Sequence, residues 1–440
     1  MSVRGNFPCN RTLMRQAPIS TQPVQKSIVA CVKCDSYDEN TVFSAVRRGM
    51  DLLGGSAQFA KAHETILVKP NALSATDPAL CVVTHPAVFK AVCSVMLETG
   101  CTLVYGDSPA LLSGWGKCGP TMKKCGYSAI ARQFGMAMAD MDNGKTVTAG
   151  PKASYKSFVI ANGVLASDGV VSLPKLKSHG LTRMTGAVKN QFGCVPGIYK
   201  GQYHARVPDV KEFSKLLTDI TAFVRPRLYV LDAVDAMEGN GPQSGDPRHI
   251  GVLLFSTDPC ACDCVAARII GLSPESVPTN VAYANAGLGT MVSTNIEIAG
   301  DAISQFITPN FVVSKAPMIS IGPSKIMRTI KNMLVPRPFI RASQCTRCGN
   351  CIRSCPVLPK AVDWKETNAR KTPSYRYDRC IRCFCCQECC PSRAIRIQTP
   401  LLGKLLPFLS YISLLAMNMR MKREKRRFIS RGRDCGSNLQ

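Results

Sequence analysis

A chain of 440 residues with 45% hydrophobic content exceeds what one core usually serves and excludes wholesale disorder, so two domains and tails are expected. The formal net charge of +26 raises nucleic acid as a partner. No helix-turn-helix, RNA-binding or zinc-finger signature accompanies it, and much of the charge sits in a terminal run, so nucleic acid is disfavoured. The 23 cysteines lack the even framework of a small secreted domain and fit a reducing cytoplasm.

Residues 1–26 are polar, with scattered Pro and Gln, and read as a flexible lead-in; MSVRGNFPCNRTLMRQAPIS shows no apolar core of a secretory signal. The α/β domain is expected over 27–321. From Ser27, SIVACVK reads as a strand, with Asp35 and Ser36 as possible N-caps of a helix in ENTVFSAVRRGMDLLGG. Cys31 and Cys34 form a C-x2-C without a second pair, which reads as two ordinary thiols. Four further apolar runs follow, each ending in polar residues. TILV delivers Lys69-Pro70-Asn71, and TLVY delivers Gly106-Asp107-Ser108. GVVSL precedes Lys175, Lys177, Ser178 and His179, and RLYVL precedes Asp232, Asp235 and Glu238. A fifth, HIGVLLF, leads to Asp258 and a helix. Strands alternating with helices predict a largely parallel sheet with helices on both faces, an α/β fold that binds ligands at the carboxyl ends of its strands.

PKLKSHGLTRMTGAVKNQFG gathers cations within a short span. Lys175, Lys177 and His179 are the candidate catalytic residues, His179 because imidazole titrates near neutrality. Lys69, Asn71, Arg183 and Lys189 are candidates for holding a small anion such as a phosphate or carboxylate. A solvated loop with no ligand is the competing reading. Asp232 and Glu238 offer oxygen ligands for Mg2+, or helix caps; for Asp258, before Pro259, a cap is favoured. No P-loop or GxGxxG is present. GIYKGQYHAR, carrying His204, reads as a possible lid, and His63 and His85 as surface or cap residues.

A basic linker is expected over 322–339. Then Cys345, Cys348, Cys351 and Cys355 stand at C-x2-C-x2-C-x3-C before Pro356, and Cys380, Cys383, Cys386 and Cys390 repeat the spacing before Pro391. Three thiolates at every third position wrap one iron–sulfur cubane, and the Cys before Pro ligates the other cluster. Cys345, Cys348, Cys351 and Cys390 are therefore assigned to cluster 1, and Cys380, Cys383, Cys386 and Cys355 to cluster 2. Cys385 and Cys389 fall outside that register. Zinc prefers paired C-x2-C knuckles and does not explain a doubled run with Cys-Pro. Residues 340–398 resemble bacterial-type ferredoxins with two [4Fe-4S] clusters, which implies a small α+β module with Ala361-Val362 and Ala394-Ile395 packed beneath the clusters.

Over 399–440, LLGKLLPFLSYISLLAM precedes the basic run RMKREKRRFISRGR. An amphipathic helix lying on an anionic membrane surface, or docking on its own domain, is expected there. Residues 28–275 resemble the family known as domain of unknown function 362, through LVKPNAL, VTHPAVFKAV, GDSP, LPKLKSHGLTRMTGAVKNQFGCVPG, LDAVDAMEGNGP and STDPCACDCVAARIIGL. That resemblance implies architecture but no reaction. The chain is thus expected to pass electrons from a redox partner protein through two clusters to a ligand or partner at the α/β domain. Two other readings compete: an adaptor whose α/β domain only docks a partner, and a non-redox enzyme with structural clusters.

Overall fold

The computed structural model describes residues 26–109, 117–314, 325–364 and 371–403. The expected lead-in, the start of the linker, and the amphipathic helix and basic run beyond 403 lie outside them. Ten strands build the main sheet: β1 (Ser27–Lys33), β2 (Thr65–Pro70), β3 (Thr102–Tyr105) and β4 (Ala137–Met138) come first. A separate hairpin of β5 (Gly144–Thr148) and β6 (Ser157–Ala161) follows. The sheet resumes with β7 (Gly169–Leu173), β8 (Lys175–His179), β9 (Arg183–Thr185), β10 (Leu228–Glu238), β11 (Asp246–Ser256) and β12 (Ile296–Gly300). Their order is β12-β1-β11-β10-β7-β2-β3-β4, with β8 alongside β10 and β9 alongside β8.

The run β10-β7-β2-β3-β4 is parallel, as the strand–helix alternation predicts. Its core positions are almost wholly apolar: Ile66, Leu67, Val68, Val171, Leu173, Val230 and Leu231 have no exposed surface. Strands buried on both faces read as continuous apolar runs for this reason.

One expected parallel strand runs the other way. β11 is antiparallel to both β1 and β10. Only seven residues, Gly239 to Gly245, join β10 to β11, too few for the crossover that a parallel pair requires. Asp235 and Glu238 consequently lie along a hairpin arm instead of beyond a strand end.

Helix starts follow their caps. Asp38, not Asp35 or Ser36, caps Glu39–Asp51, its carboxylate accepting from the N–H groups of Asn40 and Thr41. His85 caps Pro86–Leu97 through its ring nitrogen, and Asp258 caps Pro259–Ile269 with Pro259 at the first helical position.

The C-terminal module has its own small core, in which Ala361, Val362, Ala394 and Ile395 pack with Cys351, Cys355, Cys386 and Cys390. Its strands are β13 (Arg337–Ile340), β14 (Val362–Asp363), β15 (Ser374–Tyr375) and β16 (Ile395–Gln398). β13 pairs with β16, so the module's sheet begins within the expected linker, whose residues Lys325–Leu334 are helical. The module rests on the β10–β11 loop. Asn240 Nδ2 donates to the Ile395 carbonyl (2.9 Å) and its Oδ1 accepts from the Ile397 N–H (3.1 Å), while Gln387 Nε2 donates to the Asn240 carbonyl (2.7 Å).

Candidate functional site: a cationic cleft facing a cysteine-rich module

The adjacent parallel strands β3, β2 and β7 end side by side. Their carboxyl ends and the residues just beyond supply Asp107, Lys69 with Asn71, and the Pro174–Lys175 turn into β8. Lys69 is fully buried, which a charged ammonium tolerates only if paired. Its Nζ lies 2.7 Å from Asp107 Oδ1 and donates to the Asn190 carbonyl at 2.7 Å. Asp107 Oδ2 in turn accepts from the Ala72 N–H (2.7 Å). Lys177, also buried, donates to Asn71 Oδ1 and to the Val82 carbonyl, each at 2.7 Å. Burial, and then the charge of Lys189, pushes its ammonium down to about 7.

His179 meets the module directly. Its Nδ1 accepts from the Leu181 N–H (3.0 Å), which leaves the proton on Nε2, 3.2 Å from Glu388 Oε1. Burial, with Lys189 close by, lowers His179 to about 4. It is therefore neutral at pH 7, and the expected titration near neutrality gives way to a neutral imidazole held beside Glu388. Burial opposes ionisation of Glu388, yet the His179 contact, Lys189 and His204 together hold its carboxyl at about 2.

Between the two units lies a cavity of roughly 110 Å3. The α/β side contributes Asn71, Ser108, Lys189, Asn190, Lys200 and His204; the module side contributes Ser354, Cys385, Glu388 and Cys389. The segment read as a lid is a helix, Gly197–Arg206, that lays Lys200 and His204 over the opening. Lys200 donates to the Ser108 carbonyl and stands 5.8 Å over the Phe192 ring. Burial and neighbouring Lys69 and Lys189 bring it down to about 8, against the opposing charge of Asp107.

Of the sequence candidates, Asn71 and Lys189 line this cleft, while Lys69, Lys177 and His179 are buried against its lining residues Asn190, Asn71 and Glu388. Lys175 does neither: its Nζ is 2.8 Å from Asp232 Oδ2 and 2.7 Å from the Tyr37 hydroxyl, all within the core. Arg183 lines a different, more open cavity of roughly 670 Å3 beside Lys211 and Lys215. The Mg2+ pair also separates. Asp232 is held by Lys175, and Glu238 Oε2 accepts from the Val312 N–H (2.9 Å). Six residues apart on β10, they stand roughly 20 Å from each other, beyond one ion's reach. Glu388 and Lys200 escaped sequence reasoning, Glu388 because it hides among ligand-spaced cysteines.

The module's cysteines lie in two neighbouring groups. Cys355, Cys380, Cys383 and Cys386 share one small cavity, roofed by Pro338, Val357 and Ile381. Cys351 is pushed up to about 12 by burial and by the proximity of Cys390, Cys348 and Cys345, the set assigned to the other cluster. The Tyr375 hydroxyl donates to Cys386 Sγ (3.2 Å), and the Ala361 N–H to Cys355 Sγ (3.3 Å). Such bonds favour the thiolate form that iron requires. Among the described residues no three His, Cys, Asp or Glu side chains converge on a single-ion site. In a cubane each thiolate takes a different iron, so convergence is not required.

An α/β domain bearing a cysteine module of this kind defines an iron–sulfur protein. Residues 66–268 match the domain of unknown function DUF362, and residues 337–391 match a 4Fe-4S dicluster domain. The chain is 34% identical over 261 residues to the thylakoid-associated protein sll1697 of Synechocystis sp., covering 59% of this chain and 79% of that one. It belongs to the DUF362 family, with a ferredoxin-type module attached. Among solved structures, the lactate racemase apoprotein from Thermoanaerobacterium thermosaccharolyticum is 11% identical with a TM-score of 0.35, over 56% of this chain and 58% of that one. A protein from Thermotoga maritima is 12% identical with a TM-score of 0.34, over 58% and 60%. This chain thus spans less than two thirds of either structure.

Proposed function

We propose that the chain carries two [4Fe-4S] clusters and passes electrons to a small anion held in the cleft between module and sheet. The clusters supply one-electron transfer. The chain's own residues supply the rest. Lys189 and Lys200 attract the anion, Asn71 and Asn190 offer amide partners, and the His179–Glu388 contact fixes the module against the strand ends. The observation carrying this reading is the cavity itself, with the helix-borne cations Lys189 and Lys200 on one wall and, on the other, the helix that lies between Cys383 and Cys390. The strand ends of an α/β sheet are where ligands gather, and here the redox module docks on that edge.

No flavin or nicotinamide motif accompanies the site, so a separate redox protein is the proposed donor. Anaerobic iron analysis and EPR after dithionite reduction test the cluster count: about eight irons per chain are expected, and a zinc-loaded, colourless protein sinks the proposal. Inorganic phosphate serves as the anion probe. It should alter the EPR signal of the wild type, and Lys200→Gln should abolish that response while iron content stays normal. A response that survives the substitution points to the adaptor reading instead. The name of the Synechocystis relative supports a second element, peripheral contact with an anionic membrane. No helix among the described residues is long and apolar enough to cross a bilayer.

A further inference from the structure

The second cysteine motif holds two thiols more than a cluster needs, and the fold gives them a face of their own. Cys385–Glu388 forms one helical turn, continued by the bond from the Cys389 N–H to the Cys385 carbonyl (3.1 Å). Residues four apart lie on one side of a helix, and neighbouring positions are rotated by roughly 100°. Cys386 and Cys390, assigned to the two clusters, therefore share one face. Cys385 and Cys389 share the next, together with Glu388. The cavities agree with that division. Cys386 lines the cluster cavity with Cys383, whereas Cys385, Glu388 and Cys389 line the cationic cleft. Cys385 also hydrogen-bonds Cys383, a residue of the cluster 2 set.

We infer that Cys385 and Cys389 form a redox-active dithiol/disulfide pair on the cleft wall, exchanging electrons with the clusters behind it. The inference rests on the reading above, that the module passes electrons toward this cleft. A bridge requires the turn to tighten. Cβ atoms one turn apart stand roughly 5–6 Å from each other, and a disulfide needs roughly 3.5–4.5 Å, so the turn must tighten by about 1.5 Å. Cys389 is the residue that ends the helix, at φ −99° and ψ 7°, where the chain can adjust without breaking further helical bonds.

The step balances as follows. Reduction breaks the Cys385–Cys389 S–S bond, consumes two electrons and two protons, and yields two thiols. The clusters that the two cysteine sets would hold would supply the electrons one at a time, an external one-electron donor (dithionite in the test) being the reductant. Water entering the cleft supplies the protons. In the reverse direction a small disulfide oxidises the pair by thiol–disulfide exchange, releasing two thiols of its own. The pair thus converts single-electron deliveries into a two-electron exchange at the cationic cleft, which suits a small anionic disulfide.

The test uses the reconstituted full chain under anaerobic conditions, oxidised with glutathione disulfide and then titrated coulometrically with dithionite. Wild type is expected to take up roughly four electrons, and the double variant Cys385→Ser/Cys389→Ser, which keeps no cleft thiol to form a mixed disulfide with glutathione, roughly two, with the same iron content of about eight per chain. Alkylation and mass analysis of the oxidised wild type should show a peptide carrying Cys385 and Cys389 that is about two mass units lighter and unalkylated at both. Equal electron uptake in wild type and double variant overturns the inference, as does alkylation of Cys385 in the oxidised protein. Loss of iron from Cys385→Ser also overturns it, by making that residue a ligand. A wild type that never binds eight irons defeats the cluster reading first, and iron analysis shows that separately. Mass analysis of the wild type decides the matter if a variant does not fold.

Discussion

Lys175 is the sequence candidate whose role the structure changes most, and its replacement by methionine separates the two roles. Its ammonium lies in the core beneath the cleft, paired with Asp232 at 2.8 Å, beside Tyr37, whose ring stacks on His85 at 3.6 Å. Lys175→Met keeps the volume of the stem and removes the charge. It strands the Asp232 carboxylate, which has no exposed surface. Breaking a buried pair from one side costs about 3–5 kcal/mol, because the remaining charge stays desolvated. Asp232 keeps the Tyr37 hydroxyl (2.9 Å) and the His85 N–H (2.9 Å) as donors, which places the cost at the lower end, about 3 kcal/mol. At about 2–4 °C per kcal/mol for a domain of this size, the midpoint of thermal unfolding should fall by roughly 6–12 °C.

Thermal unfolding followed by far-UV circular dichroism gives that number, and iron content with the phosphate-dependent EPR response gives the other readout. Both cluster loading and the phosphate response should persist at temperatures below the new midpoint. A variant that melts like wild type but no longer responds to phosphate would refute the argument and return Lys175 to the cleft.

Gly193→Ala should destabilise by about 1–3 kcal/mol in denaturant titration, because a Cβ there meets Asp107 Oδ1 and Lys69 Nζ inside their contact distance; an unchanged midpoint counts against the buried Lys69–Asp107 pair. Asn240→Ala removes both bonds to β16, so amide exchange in Ile395–Gln398 should accelerate roughly 10-fold while exchange in β2 stays constant. His204 is lowered to about 4, chiefly by burial, with Lys189 adding to it and Glu388 opposing. Between pH 6.5 and 4 the unfolded chain therefore binds a proton that the folded one does not, and stability is lost as pH falls below 6.5. His204→Phe preserves the stacking on Phe213 (4.6 Å) and should flatten that loss by about 1.4 kcal/mol per pH unit, and parallel pH curves for the two proteins would contradict this.

Much of this architecture is legible in the chain, and the illegible parts share a cause. The runs ending at Lys69 and at Leu173 announce central parallel strands, since residues buried on both sheet faces lose their alternation. The doubled cysteine spacing is local and survives intact. By contrast, the direction of β11 depends on the shortness of GNGPQSG, a Gly- and Pro-rich connection between apolar runs that signals an antiparallel return. The pairing of Lys175 with Asp232 spans 57 residues, and that of His179 with Glu388 joins two domains. Charge partners at such separations leave no periodicity, so Lys175 and Lys177 look equivalent in sequence although one neutralises a core carboxylate and the other donates to Asn71 and the Val82 carbonyl.

Charge arithmetic at the cleft then sets how ligand and electron should influence each other. Lys69 is matched by Asp107 and Lys175 by Asp232, so neither pair contributes net charge. Lys189 and Lys200 line the cleft with Glu388, leaving it positive, and burial already strains that surplus by pushing Lys200 to about 8. A [4Fe-4S] core with four thiolates carries about −2, and reduction adds one more negative charge on the module side. A bound anion and an added electron thus draw on the same cations. Linkage makes the effect reciprocal: phosphate should lower the reduction potential of the nearer cluster, and reduction should weaken phosphate binding by the same factor. Potentiometric EPR titrations with and without phosphate measure the first half directly. A potential that rises on phosphate addition would show that the cleft cations do not sense the module's charge, and the electrostatic account of the site would fail.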